Sequence, residues 1–275
     1  MSAIDYIVYA TRSDCYNSGD RINPDAIVVH STGCNNPNLK RYVQPDNGQI
    51  GVNSYNNSWN EPNCNVCVHA AIGKNKNGDV KTAQVLPWNY RAWGVYQGKN
   101  GSFNDNAIQF EMLEDGLDDK TYCKACYDKA VELCAYLCDK YKIKTSRIYS
   151  HHEVGIMGYG SQHIDPDNWW GKHGFKMDQF RKDVDKKIKE NNAPVLDKTG
   201  YKKGDKTIGS LALKELLLLA KQLGINKYGM DENQSVGDGT VRAINYLLGC
   251  WGYKQNGIAG EKFIKRLKAE IAKKC

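Results

Sequence analysis

Apolar and polar positions along this chain follow two regimes that change near residue 190. Before that point, short apolar runs of strand length alternate with longer stretches of helical period. Ala26 to Ser31, Val68 to Gly73, Val80 to Leu86 and Ala107 to Leu113 are predicted strands, and Ile148-Tyr-Ser-His151 ends in the same way. From Asp119 to Tyr141, apolar or cysteine residues recur at 123, 126, 130, 131, 134, 137, 138 and 141, the spacing of one buried helical face. Phe175 to Lys189 reads as a shorter amphipathic helix with Phe175, Phe180, Val184 and Ile188 inward. The pattern predicts an α/β domain over residues 1–190, with a mixed central β-sheet flanked by helices.

Residues 191–209 are polar, carry Pro194, Gly200 and Gly204, and hold no sustained period, which predicts a linker. Three helical stretches follow, Leu211 to Leu223, Gly239 to Trp251 and Gly260 to Lys274, separated by glycine and asparagine turns. They predict a small all-helical C-terminal domain over 210–275, of a size that a three-helix core can support.

Charge sharpens this division. The net +7 lies entirely in the C-terminal part: residues 193–275 hold 15 basic and 8 acidic side chains, against 23 of each before them. An anionic partner for the small domain follows as one reading, and a lysine-rich solubilising surface as the other. Clustered arginines and a reading helix are absent, which argues against nucleic acid. The start Met-Ser-Ala-Ile-Asp-Tyr-Ile lacks the basic and apolar regions of a signal peptide, and no long apolar run predicts membrane insertion. The expectation is synthesis in the cytoplasm, where the ten cysteines would be free thiols or metal ligands rather than disulfides.

Candidate chemistry gathers at the strand ends. The aliphatic residues Ile27, Val28 and Val29 lead into His30, Ile148 leads toward the pair His151 and His152, and Asp165 sits near a turn in His163-Ile-Asp-Pro166. Two histidines and a carboxylate would leave a fourth tetrahedral position open, as a hydrolytic zinc site requires. Glu111 is a carboxylate inside a strand-like apolar run, either a site residue or an outward-facing one. His163 and Asp165, two apart, share a side of an extended segment. Cys64-x-x-Cys67 and Cys123-x-x-Cys126 offer a competing structural zinc, although Cys123, Cys126, Cys134 and Cys138 also fit a buried helix face. His151-His-Glu153 matches the first part of a deaminase signature, but both cysteine pairs precede it, which is the wrong order.

Val28-Val-His-Ser-Thr32, the strand ending in Glu111, Ser150-His-His-Glu-Val154 and His163-Ile-Asp-Pro166, in this order, resemble the N-acetylmuramoyl-L-alanine amidase family over roughly residues 20 to 190. The resemblance implies one catalytic Zn2+ held by His30, His151 and Asp165, with Glu111 and His163 as catalytic residues. His163 stands where many members have a lysine. By the same resemblance His69, in Val68-His-Ala-Ala-Ile72, and Trp93, in Arg91-Ala-Trp-Gly94, line the substrate groove. Trp169, in Asn168-Trp-Trp170, either walls that groove or anchors a turn in the core. His152 is left as a supporting or buried residue and His173 as a surface one.

The implied reaction is cleavage of the amide between N-acetylmuramic acid and L-alanine in peptidoglycan. Gly237-Asp-Gly-Thr-Val-Arg-Ala-Ile244, with Gly252-Tyr253 and Asn256-Gly-Ile-Ala-Gly260, is similar to helical peptidoglycan-binding modules, without their usual Phe-Gln pair. The combination implies a bacteriophage endolysin, made in the host cytoplasm and acting on the wall after release, whose small domain binds the wall or its anionic polymers. A bacterial autolysin of the same fold and a peptidoglycan-binding protein without catalysis are the alternatives.

Overall fold

A computed structural model describes residues 3–193, 195–231 and 233–274. Pro194, one of the linker signals, and the first two residues of the segment read for a leader lie outside the described residues. The chain divides into two compact units between Asn191 and Asn192.

In the first unit the elements run β1 (Tyr6–Ile7), α1 (Asp14–Asn17), β2 (Ala26–Ser31), β3 (Ala70–Lys74), β4 (Val80–Gln84) and β5 (Ala107–Met112). They continue with α2 (Lys120–Tyr141), β6 (Ile148–Ser150), α3 (His151–Met157), α4 (Asp167–His173) and α5 (Met177–Asn192). The six strands form one sheet in the order β1-β4-β3-β5-β2-β6. Within it β3 and β4 pair antiparallel and the other ladders are parallel, β2 with both β5 and β6. The expected mixed sheet with flanking helices is therefore what the chain forms.

Strand alternation sorts the side chains of the sheet. Ile27 and Val29 of β2, with Ile108, Phe110 and Met112 of β5, join a core with the apolar face of α2 and with Trp169, Trp170, Phe180 and Val184. The intervening residues, Ala26, Val28 and His30 on β2 and Ala107, Gln109 and Glu111 on β5, face the other side. Every residue of β2 is buried, as expected for a central parallel strand covered on both faces. In α2 the run opens on Asp119, whose carboxylate accepts from Tyr122 N–H, and closes at Lys142 in the left-handed conformation. Cys123, Cys126, Cys134 and Cys138 are all buried there, and burial pushes the Cys126 thiol up to about 12. They pack as small apolar groups. Cys67 belongs to a separate cluster with Cys15, Leu86 and Ala92. The two Cys-x-x-Cys pairs thus do not come together in one metal site among the described residues.

The second unit contains β7 (Gly200–Tyr201), α6 (Ile208–Gln222), α7 (Asp238–Cys250), β8 (Ala259–Gly260) and α8 (Glu261–Ala272). The three expected helices are present within a few residues at each end. The expectation of an all-helical unit fails in one detail, because β7 and β8 form a short antiparallel ladder. The cause is Tyr201, which fills the core with Leu213, Leu217, Ile244 and Leu267 and hydrogen-bonds Asp197 through its hydroxyl. Part of the stretch 191–209 is accordingly built into this unit rather than free as a linker. No helix of the described residues is long and apolar enough to cross a membrane.

Lys214 is buried in α6, and its ammonium donates to Asp231 and to the Asn233 carbonyl. Lys214→Ala is expected to lower stability by about 1–3 kcal/mol, because the buried lysine stem leaves a void and its charge-assisted hydrogen bonds are lost. Thermal unfolding of the second unit's transition checks this; an unchanged midpoint would count against it.

Candidate metal centre

β2 and β5 lie side by side with His30 opposite Glu111, so the alternation that hides their aliphatic residues delivers both polar groups to one face. The position is the carboxyl end of parallel strands, where open α/β sheets place their ligands. β6 delivers the next residue. Ser150 ends the strand and caps α3 with a full capping box to Glu153, which makes His151 the first helical residue rather than a strand terminus. A helix turns about 100° per residue, so His151 and His152 diverge. His151 enters the site, while His152 pairs with Asp167 at 2.8 Å between Nδ1 and Oδ2. Asp165 follows on the loop before α4, and the Ser31 N–H donates to its Oδ2 at 3.2 Å.

His30, His151 and Asp165 are buried and offer three ligand atoms within 4.8 Å of one another. Nδ1 of His30 lies 3.1 Å from Nδ1 of His151. Asp165 Oδ2 is 3.6 Å from His30 Nδ1, and its Oδ1 is 3.3 Å from His151 Nδ1. A tetrahedral ion with bonds of about 2.0–2.1 Å sets its ligand atoms about 3.3 Å apart. The separation of the two imidazole nitrogens is close to that edge, and Asp165 brings one oxygen near each of them.

Proton positions assigned from the hydrogen-bond network lead to the same conclusion. The Gly94 and Val95 N–H groups both donate to Asn104 Oδ1, which also accepts from Gln109 Nε2 at 2.8 Å. That turns Gln109 Oε1 toward His30 Nε2, 3.1 Å away, so Nε2 carries the proton. On the other side, the Ser161 hydroxyl donates to the Val95 carbonyl and its oxygen accepts from His151 Nε2 at 3.1 Å. Both Nδ1 atoms are therefore lone pairs. Burial lowers the His151 pKa, favouring the neutral ring. Three acceptors point at one place with no proton between them, an arrangement that a cation resolves.

Glu111 sits beside this cluster. Its Oε2 is buried with no hydrogen-bond partner. Burial, then the nearby charges of Asp165 and Glu114, raise its carboxyl well above the ordinary value. His163 stacks on His151 with ring centroids 4.2 Å apart and planes 12° apart, more than half exposed, with Nδ1 3.3 Å from Asp165 Oδ1. A cavity of about 250 Å³ opens over these groups, bounded also by Trp59, Val66 and Trp93. A second hollow of about 700 Å³ shares Val66, Trp93, Gly94 and His163 with it and extends to Arg91 and Tyr96.

The family model for N-acetylmuramoyl-L-alanine amidase matches residues 20–168, more than half of the chain. This chain belongs to that family. Among solved structures it is similar to PlyL, at 22% identity over 67% of this chain and 97% of that one, with a TM-score of 0.46. The Staphylococcus aureus hydrolase AmiA in complex with its ligand gives 20% identity over 68% and 83%, with a TM-score of 0.49. The PlyG catalytic domain gives 20% over 69% and 98%, with a TM-score of 0.46. No curated protein matches.

Within this amidase-family domain, the residues expected to line the groove divide. Trp93 borders both hollows. Trp169 does not: it is fully buried on the helix side of the sheet against Tyr122. Short α4 turns both Trp169 and Trp170 inward, so the core reading of the pair holds and a substrate contact is excluded. His69 is also corrected. It has no exposure, its Nε2 meets the Tyr90 carbonyl at 2.9 Å and its Nδ1 accepts from Gln109 N–H at 3.0 Å, with burial lowering its pKa to about 4. Both ring nitrogens are spent on backbone, so His69 braces β5 from beneath rather than touching a ligand.

Four supporting residues escape the sequence reading: Asn104, Gln109, Ser161 and Glu114, the last accepting from the Ser31 hydroxyl. Gln109 carries one available signal, its position two residues before Glu111 on the same strand face. Gly94 is required for its placement, since a Cβ there would lie 2.3 Å from Gln109 Oε1. Gln109→Leu is expected to weaken divalent-metal binding about 10–100-fold. Competition against a chromophoric chelator measures this, and an unchanged affinity would dismiss the relay.

Proposed function

We propose that the chain is a zinc-dependent peptidoglycan hydrolase of the endolysin type, which cleaves the amide joining N-acetylmuramic acid to L-alanine and so lyses bacterial cells. The carrying observation is the meeting of three unprotonated acceptors from His30, His151 and Asp165 beside the unpartnered carboxylate of Glu111. One ion would be held by His30 Nδ1, His151 Nδ1 and an Asp165 oxygen. Zinc in such a site supplies Lewis acidity toward a carbonyl oxygen and toward water.

The chain's own groups then divide the remaining work. Glu111 takes the proton of the attacking water and passes it to the departing alanine nitrogen. His163, exposed at the rim, donates through its ring to the oxygen that gains charge on the attacked carbon. Trp93 offers an amphipathic wall for the sugar or peptide flanking that bond. Asn104, Gln109 and Ser161 hold the two imidazoles in the tautomer that a metal needs. The second unit, carrying the whole net positive charge, serves as the wall-binding domain.

Purified protein incubated with isolated walls provides the test. Stem peptides released with a free N-terminal alanine, identified by mass spectrometry, are the expected product. New reducing sugar ends, or cuts within the peptide, would overturn the proposal. Wall suspensions are also expected to lose turbidity only when the site is metal-loaded.

A further inference from the structure

The second unit carries a groove along one helix at the margin of its core. Core residues of α7 are Ala243, Ile244, Leu247 and Leu248. Arg242, Asn245, Tyr246 and Gly249 recur at three- and four-residue spacing on the adjoining stripe, with Tyr246 partly packed against the core. With Tyr228 and Gln255 they bound a hollow of about 630 Å³.

Its chemistry is uneven in an informative way. Tyr228 and Tyr246 meet edge to face, centroids 5.6 Å apart at 85°. Lys227 Nζ stands 5.2 and 4.8 Å from the two ring centroids. Arg242 forms no ion pair with a carboxylate among the described residues, whereas Lys203 takes the neighbouring Asp238. Asn245 has committed its acceptor, Oδ1, to the Gly257 N–H at 2.7 Å, leaving its amide N–H groups for a ligand. Gln255 lies over Gly249 so closely that a Cβ there would be 2.7 Å from its Nε2. The groove thus presents the Arg242 guanidinium, amide donors and amphipathic rings, with Lys227 standing over those rings beside it. Such a surface suits a ligand rich in acceptors and negatively charged, with flat apolar faces between them.

We propose that this groove binds an acidic glycan, sugar units carrying carboxylate or phosphate groups, with Arg242 on the anion and Tyr228 and Tyr246 against the sugar. The charge and donor pattern is independent of the first unit; the choice of a wall polymer as the source rests on the reading of the chain as a wall hydrolase.

The test uses the full chain carrying Glu111→Gln, so that walls stay intact, in co-sedimentation with purified bacterial walls. Arg242→Glu is expected to weaken association by at least about 10-fold, the cost of losing a charge-assisted contact to the anion. Lys268→Glu, the same charge change on α8 outside the groove, is expected to shift it less than about 2-fold, as a screened surface charge does. Equal losses from both variants would overturn the proposal in favour of diffuse attraction.

A second measurement requires no substitution in the groove. Cys250 is exposed at its edge, and its alkylation, followed by peptide mass spectrometry, is expected to slow when soluble wall glycan is added. Full-rate alkylation under saturating glycan would also overturn it. Extracting phosphate polymers from the walls separates the sources: binding that disappears assigns phosphate, and binding that persists assigns carboxylate. Hydrolysis of a soluble muropeptide by the parent chain is scored separately, so failure of the groove and failure of the amidase reading give different results.

Discussion

Glutamine in place of Glu111 is expected to slow amide hydrolysis by about 100- to 10,000-fold, the usual contribution of a positioned proton carrier, while the protein keeps its metal. The substitution preserves shape and removes only the capacity to accept and return a proton. Glu111 is not among the three converging ligands, so metal content measured by elemental analysis should match the parent. Loss of metal together with activity would sink the assignment of Glu111 as proton carrier, and retention of full activity would move that role to His163. The same change has a second, opposite consequence for stability. Burial first, then Asp165 and Glu114, raise the folded pKa of Glu111 above its ordinary 4.5. A carboxyl raised in this way binds more protons folded than unfolded, so stability falls as pH rises from the unfolded value through the folded one. Metal-free Glu111→Gln protein should therefore melt higher than the metal-free parent at neutral pH, with the gap closing below about pH 4. A midpoint that does not move at neutral pH would show that the carboxylate is not strained there.

This pairing of lost activity with gained stability is a property of functional sites: the residue costs stability because its position serves chemistry. It also explains what is legible in the sequence. A carboxylate at 111 and a histidine at 30 stand out because each interrupts an apolar run at the end of a strand, and alternation then brings both to one face. The long helix and the three C-terminal helices are legible for the same reason, a period sustained over many residues. His151 is legible as a ligand but not in its setting, since a strand end and a capped helix start look alike over Ser150-His-His-Glu153 until the capping box closes. His69 and Trp169 mislead because an imidazole or indole near a site carries the same local signal whether it faces solvent or core. Burial by elements distant in sequence decides that. The Asn104–Gln109–His30 relay is invisible for a related reason, as its final link joins residues 79 positions apart through side chains whose types are common in loops and strands.

Alanine in place of His30 is expected to abolish metal-dependent hydrolysis and to lower zinc affinity by more than the roughly 100-fold that loss of a supporting hydrogen bond costs. The reason lies in the unpaired acceptors. His30 Nδ1, His151 Nδ1 and the Asp165 carboxylate repel one another at 3.1 to 3.6 Å unless a cation lies between them, so the parent chain should gain markedly from metal. At free zinc about 1,000 times its dissociation constant that gain is about 4 kcal/mol, read as a rise in the melting temperature of the first unit that a chelator reverses. In His30→Ala the site keeps two donors, and the zinc-dependent rise should vanish. Wall association is a separate readout: it is expected to persist in this variant, because the proposed glycan groove and the positive charge belong to the second unit. A variant that still melts higher with zinc would place the ion elsewhere. One that loses wall association as well as hydrolysis would mean that the metal centre itself grips the wall, and the division of labour between the two units would have to be abandoned.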